Sequence, residues 1–193
     1  MTQTNNTADR ILLVALDRFM SRGIRDTSIA DIAVQAGTAR LTVYRHFGNK
    51  KELVRRICIM IASLFEVPGR EDSPSYRETL DARLRCVRRA LATVPRGRLF
   101  SCLDEIREFF PDVYYHFRNS LEASCDALIS QALTAAGRDA ALCDSPNSAV
   151  FSSVCRAASV GLLDRKELLR TEVSLVDVFD IVTNILRHGI LEN

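Results

Sequence analysis

Long apolar runs are missing from this sequence of 193 residues, although its mean hydropathy of +0.01 is that of an ordinary globular chain. The longest uninterrupted apolar stretches fall far short of the roughly 18–20 residues that span a bilayer. The first nine residues are polar and lack the apolar segment of a secretion signal. We therefore expect a cytoplasmic protein that does not enter a membrane.

Paired cysteines are missing as well, because no two of the six cysteines form a C-x-x-C pair. Isolated cysteines do not indicate a zinc site or a redox dithiol, so we predict no metal and no cofactor. In a reducing cytoplasm we expect most of them to be small, buried apolar residues. A regulator that senses oxidation through one of these thiols is the alternative. The six are Cys58, Cys86, Cys102, Cys125, Cys143 and Cys155.

The motifs of common enzyme classes do not occur in the sequence either. The chain holds only three histidines, and it has no nucleophile elbow, no phosphate-binding glycine loop and no H-E-x-x-H sequence. We therefore predict that the protein is not an enzyme, and a helical enzyme is a distant alternative.

Helical periodicity is widespread, whereas runs of alternating β-branched residues and Asn-Gly hairpin turns are scarce. The sequence therefore predicts an all-α fold. All five prolines lie between apolar-periodic stretches, where each can start or stop a helix. The predicted helices cover residues 7–22, 28–36, 39–47, 49–64, 75–94, 99–110, 111–136, 147–163 and 173–191.

The polar stretch from Pro68 to Pro74 is the best candidate for a domain boundary. We divide the chain there into an N-terminal domain of residues 1–66 and a C-terminal domain of residues 67–193. The first holds ten Arg and Lys against six Asp and Glu, a net charge of +4, while the second holds sixteen against eighteen, a net charge of −2. The N-terminal domain is thus the part of the chain that would tolerate a phosphate backbone.

The most informative segment is the pair of short helices predicted within residues 28–47. Thr27 or Ser28 can cap the first helix, and Asp31 lies three residues after Ser28, where a capping box places its acid. Gly37 supplies the left-handed residue that ends this helix, and a second short helix follows. This arrangement predicts a helix-turn-helix.

The second of these helices is short and positively charged, and its outward groups suit DNA. Arg40 can donate two hydrogen bonds to a guanine, and Leu41 can pack on thymine methyl groups. The polar side chains suit phosphate contacts, and Lys50 also stands at the positive start of the next helix. A plain two-helix corner with solvated arginines is the alternative. The predicted DNA-binding residues are Thr27, Ser28, Arg40, Leu41, Thr42, Tyr44, Arg45, His46 and Lys50.

A specific pattern of small, apolar and polar residues runs through this part of the chain. Its members are Ala15, Phe19, Gly23, Thr27, Ser28, Asp31, Ile32, Ala33, Ala36, Gly37, Val43, Tyr44, His46, Phe47, Lys50 and Leu53. Over residues 8 to about 54 the pattern resembles the tetracycline-repressor (TetR) family. The resemblance implies a homodimer that binds a palindromic DNA operator. It also implies that the C-terminal part forms the dimer and binds a small-molecule effector that releases the DNA.

Three residues, Thr38, Ala39 and Leu41, depart from the pattern that is usual in that family. Family members usually have Ser or Thr at the capping position that Ala39 occupies. The absence of a capping hydroxyl at Ala39 should lower the stability of the helix by about 1 kcal/mol, unless Thr38 takes over the capping role. Leu41 stands where a small residue or proline is usual, and it enlarges the surface that faces DNA.

The last two predicted helices, residues 147–163 and 173–191, are apolar over more than one face. A helix with two apolar faces needs two partners, so we predict that these helices form the homodimer interface. Gly161 would permit a close approach of the helices. The alternative is that both faces are covered within one chain.

Aromatic residues are concentrated between residues 99 and 117. An apolar pocket with a few polar anchors can be built from such a segment, although core packing is its more common use. The predicted effector-binding residues are Phe100, Cys102, Leu103, Ile106, Phe110, Tyr114 and Phe117.

The sequence thus favours a homodimeric transcriptional repressor that a small-molecule effector releases from its operator. An activator or a redox-responsive regulator that uses the same helix-turn-helix is the alternative. Nothing in the residue pattern sets the sign of regulation.

Overall fold

The computed structural model describes residues 3–65, 76–95, 98–136 and 174–190, together with the single positions 153, 157 and 161. All regular structure in these residues is helical, which confirms the predicted all-α fold. No helix in this part of the chain is long and apolar enough to cross a bilayer. Its helices with defined bounds are α1 (Gln3–Arg22), α2 (Ile29–Gln35), α3 (Arg40–Phe47), α4 (Lys50–Ser63), α5 (Tyr76–Leu91), α6 (Leu99–Phe109), α7 (Pro111–Ala136) and α8 (Leu175–Ile190).

Most helix boundaries lie within about two residues of their predicted positions. The largest differences are that α1 begins four residues before the predicted start at Thr7, and that α5 ends at Leu91 rather than Val94. Val94 precedes Pro95, and a residue before proline is driven out of the helical region by the proline ring. The predicted helix over residues 147–163 lies outside the described residues, apart from three isolated positions that are helical.

The chain divides into two compact units that are discontinuous in sequence. The first, which we call the head, comprises Met1–Ile61, Val94–Phe117 and Lys166–Ser174, and it therefore includes α6 as well as α1–α3. The second, which we call the body, comprises Ala62–Thr93, Arg118–Arg165 and Leu175–Asn193. The domain boundary proposed at residue 66 stays a prediction.

The core of the head is built from the apolar faces of its amphipathic helices, as the periodicity predicts. Burial of each large aliphatic or aromatic side chain contributes roughly 1.5–3 kcal/mol, so these faces hold the helices together. A polar contact adds to this packing, because Arg18 of α1 donates to the side-chain oxygen of Gln35 in α2. The buried residues of α1–α4 include Ile11, Ala15, Leu16, Phe19, Ile29, Ile32, Ala33, Val43, Phe47, Leu53, Val54 and Ile57.

The C-terminal end of α1 is closed by groups from α6. The last carbonyls of any helix lack partners within it and need another donor. The Met20 carbonyl accepts the backbone N–H of Arg98 at 3.0 Å, and the Phe19 carbonyl accepts the Cys102 thiol at 2.9 Å. Gly23, with φ of +94°, ends the helix in the left-handed region. The start of α6 is thereby fixed to the end of α1.

In the body, α5 and α8 are joined by a two-pronged ion pair. The Arg88 Nε donates to Asp180 Oδ1 at 2.8 Å, and its Nη2 donates to Asp180 Oδ2 at 2.9 Å. Such a fork fixes the relative position of two side chains better than a single contact does. Beside it, the buried Phe179 ring lies edge-on to Phe65, with 6.4 Å between ring centroids.

Candidate nucleic-acid interface

The helix-turn-helix opens with the capping box that the sequence predicted. Ser28 is the N-cap of α2, and its Oγ accepts the Asp31 N–H at 3.1 Å. In return, the Asp31 carboxylate accepts the Ser28 N–H at 3.0 Å and the Ser28 hydroxyl at 2.6 Å. The hydrogen bond from the Ser28 hydroxyl is the main cause that holds the pKa of Asp31 below its usual value, and the bond from the Ser28 N–H is the second. The Ser28 hydroxyl is therefore already engaged with Asp31 in this structure.

Thr27 does not lie in the interface as the sequence suggested. Its side chain is only 1% exposed, and its Oγ1 donates to the Gly23 carbonyl at 2.8 Å. A hydroxyl that is used inside the turn cannot also reach a phosphate. This prediction is corrected: Thr27 closes the turn between α1 and α2 and so sets where α2 begins.

The turn between α2 and α3 ends α2 with two backbone hydrogen bonds. The Thr38 N–H donates to the Ala33 carbonyl at 2.9 Å, and the Gly37 N–H donates to the Val34 carbonyl at 3.1 Å. This pair of bonds is a Schellman motif, which needs a left-handed residue such as Gly37 with φ of +59°. A Cβ at Gly37 would meet no atom within 4 Å, so backbone conformation rather than space favours glycine there.

The second helix, α3, begins without a side-chain cap. Its N-cap residue is Ala39, so Thr38 does not take over the capping position. What holds α3 instead is the burial of Val43 and Phe47, one turn apart on its inner face. Both inward positions are those that the sequence predicted.

The outer face of α3 carries basic and hydrogen-bonding side chains. Arg40, Leu41, Tyr44, Arg45 and His46 are exposed, Thr42 is half-buried, and the helix contains no acidic residue. Leu41 is 69% exposed and is a large aliphatic side chain on an otherwise polar face. Because α3 is anchored from behind, these side chains are presented on a fixed support.

Within this face, Arg40 and Tyr44 form a pair one helical turn apart. The Arg40 Nη2 donates to the Tyr44 hydroxyl at 3.0 Å, and the guanidinium carbon lies 5.4 Å from the centre of the Tyr44 ring. Both contacts restrict the rotamers of a long side chain before any ligand arrives. The i, i+4 spacing of the two residues was the sequence signal for this contact, and sequence reasoning did not use it.

The two lysines at the start of α4 face other parts of the head. Lys50 is half-buried, and its Nζ donates to the Arg25 carbonyl at 3.5 Å. Burial holds the pKa of Lys50 below its usual value, and the nearby Glu105 and Asp26 carboxylates offset part of this effect. Lys51 forms an ion pair with Asp112 at the start of α7, with 2.9 Å between Nζ and Oδ1. A phosphate contact by Lys50 stays a prediction, and it would have to draw the ammonium away from this turn.

All seven predicted effector-binding residues lie in the head, on α6, at the start of α7 or between the two. Phe110 is half-buried and the other six are buried. Burial of this kind suits either a closed pocket or plain core packing, so their role in effector binding stays a prediction. Cys102 has a clear structural part, because its thiol donates to the end of α1.

The described cysteines differ in their surroundings. Cys58 and Cys102 are buried, as expected of most of the cysteines, whereas Cys86 is exposed. Burial raises the pKa of the Cys58 and Cys102 thiols to about 12. Since the thiolate is the form that reacts with oxidants, both thiols are poor redox sensors at neutral pH. The other three cysteines lie outside the residues whose side chains are described.

Comparison with known proteins agrees with this geometry. Residues 11–57, which span α1 to α4, match the family described as bacterial regulatory proteins, tetR family. The protein belongs to the TetR family. The resemblance inferred from the sequence is therefore confirmed, and the family is one of regulatory proteins rather than enzymes.

Two curated relatives of this TetR-family chain are similar over its N-terminal part. The HTH-type transcriptional regulator TtgR of Pseudomonas putida is 35% identical over 92 residues, which cover 48% of this chain and 42% of TtgR. The HTH-type transcriptional repressor Rv3405c of Mycobacterium tuberculosis is 30% identical over 125 residues, which cover 63% of this chain and 66% of Rv3405c. The chain thus matches less than half of the length of the first relative and about two thirds of the second.

A solved structure extends the likeness to the fold of nearly the whole chain. The TetR-family regulator PfmR from Thermus thermophilus superimposes with a TM-score of 0.57 over 96% of this chain and 100% of that one. The two sequences are only 20% identical, so the comparison supports a shared fold and no more.

Proposed function

We propose that this TetR-family protein is a homodimeric transcriptional repressor that binds a palindromic DNA operator through α3. In this proposal a small-molecule effector releases the DNA. The observation that carries the proposal is the outer face of α3, which is exposed, contains no acid and stands on two buried anchors. A rigid basic helix of this kind fits the major groove, where base edges can be read.

The side chains of α3 divide by chemistry into base-reading and phosphate-binding groups. Arg40 uses one N–H on Tyr44 and keeps four donors, enough for a forked contact with guanine O6 and N7. Leu41 offers an apolar surface that suits a thymine methyl group. Tyr44, Arg45 and His46 suit phosphate oxygens, which set the position of the helix in the groove.

The proposal is tested by selecting bound duplexes from a random DNA pool with the purified full chain. We expect a palindromic consensus with half-sites about one helical turn apart. Arg40→Ala should relax the preference at one position of each half-site and cost about 1–3 kcal/mol there, whereas Tyr44→Ala should weaken binding to all sequences. Binding that depends on salt but selects no sequence would contradict the proposal.

Dimerisation through the C-terminal helices is supported by one exposed aliphatic residue of α8 and by three isolated positions of the preceding helix. Ile181 is 58% exposed. Ser153 and Ala157 are exposed, and a Cβ at Gly161 would meet no atom within 4 Å. These three small residues are spaced four apart in the helix that the sequence predicts over residues 147–163, a spacing that puts them on one face and permits close packing.

Sedimentation velocity on Ile181→Glu tests the interface. A charge buried between two protomers is costly, so we expect this variant to shift from dimer to monomer at micromolar concentration. Leu13→Glu is the matched control, because Leu13 is 57% exposed and lies on α1 of the head. A dimer that persists in Ile181→Glu would place the interface elsewhere.

Repression is supported by the relative Rv3405c, whose name describes it as a repressor. With the selected consensus placed between a promoter and a reporter gene, we expect expression of the protein to lower reporter output. An increase in output would favour the activator alternative. The redox alternative loses support at Cys58 and Cys102, whose thiols are buried.

A further inference from the structure

We propose that Glu105 of α6 is a positioning residue for DNA binding, because its carboxylate holds the turn between α1 and α2 that leads into the helix-turn-helix. This inference rests on the proposed DNA-binding function and adds to it a residue that is remote from α3. The spacing between Glu105 and that turn is 80 residues along the chain, so no local pattern announces the contact.

The carboxylate of Glu105 lies directly on the backbone of the turn. Its Oε2 accepts the Arg25 N–H at 2.7 Å. Its Oε1 is 2.6 Å from the point that a Cβ on Gly23 would occupy, so any other residue there would push the carboxylate aside. Gly23 thus suits the turn in two ways, because it adopts a φ of +94° without strain and leaves the Glu105 carboxylate where it lies.

The same turn residue is held from two further directions. The Lys50 ammonium of α4 donates to the Arg25 carbonyl at 3.5 Å, so both polar groups of the Arg25 backbone have a partner outside the turn. The Arg25 guanidinium also lies over the Phe109 ring of α6, 5.9 Å from its centre. Arg25 is therefore the residue through which α4 and α6 contact the segment that precedes α2.

These contacts on Arg25 affect the start of α2 because the turn between them is short and closed. Only two residues separate Arg25 from Ser28, the N-cap of α2, and the buried Thr27 hydroxyl ties this stretch back to Gly23. If the Glu105 contact is lost, the turn gains freedom, and DNA binding has to order it again. The free energy of that ordering then appears as weaker affinity for DNA.

The test compares three variants of the full 193-residue chain on a labelled duplex that carries the consensus selected with the unaltered chain. Glu105→Leu removes the acceptor and keeps a similar volume, and we expect about a fivefold loss of affinity. Glu105→Gln keeps an oxygen acceptor, so we expect less than about a twofold loss. Glu108→Leu, an exposed position of the same helix, is the control and should bind as the unaltered chain does.

A spectroscopic signal separates positioning from a general loss of structure. The amide proton of Arg25 should resonate downfield and exchange slowly in the unaltered chain and in Glu105→Gln. In Glu105→Leu it should lose both properties, while the amides of α3 keep theirs.

Two outcomes would overturn the proposal: unchanged DNA affinity in Glu105→Leu, or an equal loss in Glu105→Leu and Glu105→Gln. If the unaltered chain selects no consensus at all, the proposed function fails instead. The Arg25 amide then still shows whether Glu105 holds the turn, so the two failures can be told apart.

Discussion

The two helices of the helix-turn-helix are nearly equal in length, yet they are held in place differently. α2 is fixed at both ends by local hydrogen bonds, from the Ser28–Asp31 capping box at its start to the Gly37 turn at its end. α3 starts at Ala39 with no side-chain cap, and its position depends on Val43 and Phe47, which are buried in the core.

This difference separates the residues that shape the motif from those that face a ligand. In α2 the polar side chains at the start, Ser28 and Asp31, are used on each other. In α3 the inward residues Val43 and Phe47 hold the helix, while the outward residues Arg40 and Tyr44 contact each other and the His46 ring lies beside Phe47. A helix that is held by packing leaves its polar face available for DNA.

The largest effect is expected when the anchor of α3 is removed. Phe47→Ala leaves a cavity in the core of the head and should lower the free energy of unfolding by about 3–5 kcal/mol. Chemical denaturation followed by circular dichroism measures this. Val34→Ala on α2 is the control, because Val34 is 81% exposed and its loss should change stability by less than about 0.5 kcal/mol. Equal effects of the two substitutions would contradict the role assigned to Phe47.

A smaller effect is expected when the cap of α2 is removed. Ser28→Ala breaks the capping box and should lower the free energy of unfolding by about 1 kcal/mol. Thr38→Ala, which precedes the uncapped start of α3, should change it by less than about 0.5 kcal/mol. If Thr38→Ala costs as much as Ser28→Ala, then Thr38 caps α3 in solution and the contrast between the helices is wrong.

The difference between α2 and α3 should become smaller if α3 is given the side-chain cap that it lacks. Ala39→Ser supplies a hydroxyl at the N-cap of α3, and we expect the free energy of unfolding to rise by about 0.5 kcal/mol. The same denaturation experiment measures the gain. A loss of stability would mean that the first turn of α3 has no room for a capping side chain.

The pH dependence of stability distinguishes the two helices as well, because α2 has an acid in its first turn and α3 has none. Hydrogen bonds from Ser28 lower the pKa of Asp31 in the folded state. The ionised Asp31 carboxylate therefore stabilises the folded state above about pH 3.9, the pKa of an aspartate in the unfolded chain. This stabilisation is lost as the pH falls through the lower pKa of Asp31 in the folded state. We expect the thermal midpoint of Asp31→Asn to lie below that of the unaltered chain at pH 6. At pH 2.5 the two midpoints should be equal. Parallel curves would contradict this assignment.

Features that depend on neighbours in the sequence were predictable from it. The capping box joins residues three apart, the Schellman turn needs one glycine, and the buried faces of α1 and α3 follow the helical period. For the same reason most helix boundaries and the position of the helix-turn-helix agree with the structure. The family resemblance used the same local residues.

Features that depend on distant residues were not predictable in this way. Thr27 was predicted to contact DNA, but the turn folds its hydroxyl inward onto the Gly23 carbonyl. The contact between the Lys50 ammonium and the Arg25 carbonyl was not anticipated either, and a phosphate contact by Lys50 stays a prediction. The exposure of Cys86 depends on which face of α5 meets its neighbours, and no short pattern records that.

The sequence by itself determined an all-α chain with a helix-turn-helix near its N-terminus, because caps, glycines and the helical period act over a few residues. Only the tertiary structure decided that α6 belongs to the head and that Glu105 closes the turn before α2. Such a contact joins groups 80 residues apart, and the direction of its hydrogen bond exists only once both helices are packed.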